Sequence, residues 1–125
     1  IMVCTEDLLH QLSQVMLDKK AKNLVALDVR ELSDLSDYLL IAEGNVSRHV
    51  KAISEEVREF VKSSPYSLAS VETDIYHEWI VIDCYEIIVH VFTPEIRQKY
   101  ALEHFWDKGK IVDLSLNQKL EQDAL

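Results

Sequence analysis

The chain has 125 residues, the length of one ordinary domain, and its 48% apolar and 28% charged residues are the balance of a folded chain rather than a disordered one. Thirteen Lys and Arg stand against 22 Asp and Glu, a formal net charge of −9. That excludes docking on nucleic-acid phosphates through a broad basic surface, or on an anionic membrane, and leaves a basic protein partner open.

In chain order, residues 5–20 predict a helix, with Leu8, Leu9, Leu12, Val15 and Met16 on one face and Thr5 as N-cap. The lysines at 19, 20 and 22 suit its C-terminal end. Two short apolar runs follow, residues 24–29 and 37–43, and read as buried strands. Gly44-Asn45 breaks the chain, and Ser47 is the predicted N-cap of a helix over residues 48–62, stopped by Pro65. Strands are predicted at 66–72, 78–83 and 87–92, the last two joined by the hairpin-length Cys84-Tyr85-Glu86. Thr93-Pro94 starts one or two short helices over 94–107. The order α-β-β-α-β-β-β-α predicts an α+β (mixed α/β) domain, a sheet of about five strands flanked by helices over residues 1–107. Residues 108–125 read as a tail of weak periodicity. If the helices cover one sheet face, the other is a candidate binding surface.

Few residues suggest catalysis. Only two Gly are present, and glycine-rich phosphate loops are absent. Cys4 and Cys84 have neither disulfide-scaffold nor metal-ligand spacing, and predict a reducing, cytoplasmic compartment. No apolar run approaches a membrane span, and Glu6 and Asp7 without a basic segment before them predict no signal peptide. The five histidines show no metal-ligand spacing, so no metal is expected. Asp28, Asp37, Asp74 and Asp83 sit at predicted strand ends, where they could converge on a cation or simply solubilise the edges. His90 reads as a satisfied strand histidine, with a contact role as the alternative. Side-chain alternation puts Trp79, Val81 and Asp83 on one face and Ile80 and Ile82 on the other. Trp79 is then either an exposed interface anchor or a cap on the core edge.

Several strings in this order carry a resemblance. They are Leu24 to Val29, Ser36 to Ala42, Gly44-Asn45-Val46-Ser47-Arg48-His49-Val50, Trp79 to Asp83, Val89-His90-Val91-Phe92 and Tyr100 to Trp106. Together they resemble the ribosome silencing factor family, also called Iojap-like, over residues 5–107. The resemblance implies a nucleotidyltransferase-like fold without catalysis or cofactor, because no magnesium-holding Asp pair accompanies the turn at Gly44. It implies a cytoplasmic factor that binds large-subunit ribosomal protein fourteen, blocks association of the ribosomal subunits and represses translation under nutrient limitation, with little direct RNA contact. It assigns partner contact to Trp79, Asp83, His90, Tyr100, Leu102, Glu103 and Trp106. Arg48 and His49 match its Ser-Arg-His motif, as loop braces or as contacts. The chain departs from the family at Thr73 and at Tyr85-Glu86, where glycine is usual, and at Asn45-Val46 after Gly44. The first two put bulky residues where positive φ is expected. The alternatives are a residual nucleotidyltransferase using Asp28, Asp37 and Asp83, and a homodimer built on the exposed sheet face.

Overall fold

The computed structural model describes residues 5–101, 109–112 and 114. The described elements are α1 (Thr5–Asp18), β1 (Lys22–Asp28), β2 (Tyr38–Glu43), α2 (Ser47–Lys62), β3 (Ser70–Thr73), β4 (Trp79–Asp83), β5 (Ile87–Phe92), α3 (Pro94–Tyr100) and β6 (Lys110–Ile111). They form a mixed α+β fold around one sheet of order β3-β4-β5-β2-β1-β6. The central β2–β5 pair is parallel and its neighbours are antiparallel. The expected order holds, with one addition. The segment read as a tail returns to pair Ile111 with Leu27 and Lys110 with Asp28, and Leu114 beyond it is 8% exposed in the main core.

Helices α1 and α2 cover one sheet face. Leu8, Leu9, Leu12 and Met16 of α1 meet Val50, Ile53, Val57 and Val61 of α2, over Leu40, Ile82, Val89 and Val91 of the sheet. Both helix faces recur at three- and four-residue spacing, which is what lets each turn a single stripe to the strands. Strand β2 is buried along its whole length, because a helix layer covers one face and residues of the second core the other. The two serines inside the helical layer are satisfied locally: Ser13 Oγ donates to the Leu9 carbonyl and Ser54 Oγ to that of Val50.

Helix ends depart from expectation in two places. Ser47 is the first residue of α2, not its cap; Val46 occupies the cap position in extended conformation and supplies no side-chain hydrogen bond. The first helix ends at Asp18, before the lysines, in a Schellman arrangement. Ala21 N donates to the Met16 carbonyl and Lys20 N to that of Leu17, with Lys20 left-handed at φ 68. Strand β3 is shorter than the run at 66–72 suggested, and α3 ends at Tyr100 with Ala101 left-handed as its cap. Gly44 is required by proximity: a Cβ there would lie 2.6 Å from the Val50 amide nitrogen.

Candidate functional site

The second sheet face carries the sequence-predicted site. Strand register sets three rows of side chains across it. One row runs Glu43, Phe92, Trp79; the next Val25, Ile41, His90, Val81, Glu72; the third Leu27, Leu39, Ile88, Asp83, Ser70. Toward β1 and β2 the rows are buried, forming a second core of Leu27, Val29, Leu39, Ile41 and Phe92. Toward β4 they open. Trp79, Val81, Asp83, Ile88 and His90 are half-buried and Glu72 is exposed. The result is an apolar and aromatic patch with two carboxylates along its outer side.

Trp79 anchors this patch. Its ring centroid lies 6.0 Å from His90, 5.9 Å from Phe92 and 4.9 Å from Tyr100, all in tilted geometry. Its Nε1–H donates to His90 Nδ1 at 3.0 Å. An indole nitrogen only donates, so His90 accepts at Nδ1 and carries its proton on Nε2. Burial pushes the His90 pKa down to about 4, which keeps the ring neutral near pH 7 and the bond intact. The strand that presents Trp79 is set by its hairpin: Asp74 Oδ1 accepts from the Glu78 and Trp79 amides at 2.8 and 3.1 Å, while His77 takes the left-handed conformation.

The other predicted residues fall into separate groups. Tyr100 is exposed and joins the patch. Leu102, Glu103 and Trp106 lie outside the described residues. His49 is a brace. Its Nδ1 accepts from the Asn45 amide at 2.9 Å, which leaves Nε2 to donate to the Lys19 carbonyl at 2.7 Å, tying the loop after Gly44 to the end of α1. Arg48 beside it is exposed.

Three of the four strand-end aspartates have local partners of their own. Asp28 holds Arg30 through bonds of 2.7 and 3.0 Å, which lower its pKa. Asp74 serves the hairpin, and Asp83 accepts from the Tyr85 amide at 2.9 Å. Among the described residues no group of three or more His, Cys, Asp or Glu could hold a metal ion. Cys84 is buried and its thiol is pushed up to about 11, too high for a nucleophile at neutral pH. Of the two expected positive-φ positions, Tyr85 has φ 68 and Thr73 does not; the turn takes it at His77 instead.

The family described as ribosomal silencing factor during starvation matches residues 4–124. The chain belongs to the ribosomal silencing factor family. Ribosomal silencing factor RsfS of Bacillus subtilis is 32% identical over 97 residues, covering 78% of this chain and 82% of the relative. The factor of the same name from Halalkalibacterium halodurans is 31% identical over 109 residues, covering 87% and 93%. The crystal structure of a Chromobacterium violaceum protein superposes with a TM-score of 0.81 at 24% identity, over 94% of this chain and 97% of that one, a likeness of fold.

In this silencing-factor chain, the patch extends beyond the residues its motifs mark. Glu72 and Ile88 share the face without any mark in the sequence, and Val81, placed there by alternation alone, joins them in the patch. The signal that could have found them is register: once Trp79 is paired with Phe92, alternation places Val81 beside His90 and Glu72 beside Val81. Among the described residues no helix is long and apolar enough to cross a membrane.

Proposed function

We propose that this chain is a cytoplasmic, non-enzymatic silencing factor. It docks on large-subunit ribosomal protein fourteen through the Trp79 face, blocks subunit association and so represses translation when nutrients are scarce. Family membership supports the ribosomal setting. The observation that carries the docking surface is the half-buried Trp79, set in an open aromatic patch whose outer side carries Asp83 and Glu72. A rigid aromatic anchor with an acidic border fits a basic protein surface. The net charge of −9 works in the same direction and disfavours contacts with RNA phosphates.

The test has two arms. Light scattering of mixed ribosomal subunits should show reduced association when the protein is added; no effect sinks the functional claim. Binding to isolated ribosomal protein fourteen should weaken about 30-fold in Trp79→Ala, or ~2 kcal/mol. Unchanged affinity would move the docking site elsewhere.

A further inference from the structure

Helix α3 is seven residues long and none of them is fully buried. A helix of that length does not hold itself together in water, so its placement depends on anchors. Thr93 caps it, accepting from the Ile96 amide at 3.4 Å, and Ile96 packs on the second core. The strongest anchor is polar. Strand β1 has an irregularity between Lys22 and Val25, where Asn23 is left-handed at φ 50. Bulges of this kind re-aim backbone groups out of the ladder. Here the Asn23 carbonyl accepts from Arg97 Nη1 at 2.7 Å. The same nitrogen reaches Glu43 Oε1 at 3.2 Å, and Asn23 Nδ2 donates to Glu43 Oε2 at 3.0 Å. The guanidinium also lies 5.8 Å from the Phe92 ring centroid. Glu43 and Arg97 side chains are each 12% exposed. Away from solvent such a pair holds harder, and loss of one partner strands the other charge.

Arg97 and Tyr100 are three residues apart and therefore neighbours on the helix surface. Arg97 sits over Phe92 while Tyr100 lies against Trp79, 4.9 Å between centroids. We infer that Arg97 is a positioning residue of the docking face: clamped to Asn23 and Glu43, it fixes α3 on the sheet and so sets Tyr100 against Trp79. The inference rests on the reading of the Trp79 face as the docking surface.

Emission is read in the full chain carrying Trp106→Phe, which leaves Trp79 as its single tryptophan, and affinity in the full chain with both tryptophans kept. Arg97→Met keeps an unbranched stem and removes the guanidinium with its charge. At a temperature where circular dichroism shows it folded, its Trp79 emission should shift to longer wavelength. Its affinity for isolated ribosomal protein fourteen should fall at least tenfold. Arg97→Lys, whose ammonium can still meet both oxygens, should recover most of both. A merely structural role would lower the melting temperature while leaving the spectrum and affinity of the folded protein unchanged, and that result overturns the inference. So does a spectral shift with full affinity where Trp79→Ala has lost it. If Trp79→Ala itself binds normally, the docking reading fails separately, and a lysine-rescued spectral shift still supports the clamp on Tyr100 and Trp79. Should Arg97→Met not fold, Glu43→Gln must give the same shift in smaller measure, or the clamp is rejected.

Discussion

The two faces of the sheet are built on opposite rules. The face under α1 and α2 is closed and apolar, with Leu40, Ile82, Val89 and Val91 at 0% exposure. The face under α3 mixes a small core with a neutral histidine, an ion pair and an open tryptophan. The first is shaped by close packing, where each methylene contributes to stability. The second spends some of that stability on groups held in place by a few directed hydrogen bonds, which fix the shape of its surface. On the proposed reading stability and recognition are divided between faces, and substitutions should separate them.

The largest effect belongs to the closed face. Ile82→Ala should cost about 3 kcal/mol in urea unfolding, because the cavity lies where neither helix nor sheet can collapse to fill it. Binding by the folded fraction should be unchanged. A comparable loss of affinity would mean that the faces are not independent.

The next effect is tied to pH. His90 binds a proton less readily when folded, with a pKa near 4, than in the unfolded chain, where it is near 6.5. The full stability is therefore present above pH 6.5 and is lost as pH falls toward 4. The loss attributable to this residue should reach ~2 kcal/mol by pH 5. It is measured as the difference in pH-dependent unfolding between the parent and His90→Gln. Identical slopes would show that the ring is not held neutral against Trp79.

Trp79→Ala sharpens the contrast from the other side. Its ~2 kcal/mol loss of docking energy should come with a smaller drop in melting temperature than Ile82→Ala gives. The smallest effect concerns the brace. His49→Ala should lower stability by about 1 kcal/mol, since it leaves the Asn45 amide and the Lys19 carbonyl to solvent. Affinity for the ribosomal protein should not move; a tenfold loss would turn His49 from brace into contact.

Much of the closed face was legible in sequence, because period and burial coincide there. Val50, Ile53, Val57 and Val61 recur at helical spacing, and the alternation in β4 separated Ile80 and Ile82 from Trp79 and Asp83 before any pairing was known. The open face was legible at Trp79 and His90, but not in how it is held. Asn23, Glu43 and Arg97 come from three distant stretches, and nothing local marks Asn23 as a bulge or Glu43 as the partner of an arginine. The sixth strand escaped for the same reason: two residues carry no periodicity, and only pairing with Leu27 and Asp28 defines them. Ser47 misled because it is a favoured cap residue, yet the chain enters α2 one residue earlier, through Val46.

The central parallel pair has a consequence for how the chain is made. Strands β2 and β5 lie side by side although their paired residues are about fifty positions apart, so the middle of the sheet cannot close until most of the protein has left the ribosome. Until then β2, apolar along nearly its full length, has only β1 and the first two helices for company. A factor that acts on ribosomes therefore passes through its own synthesis with a strand that is buried end to end in the finished fold waiting for a partner not yet translated.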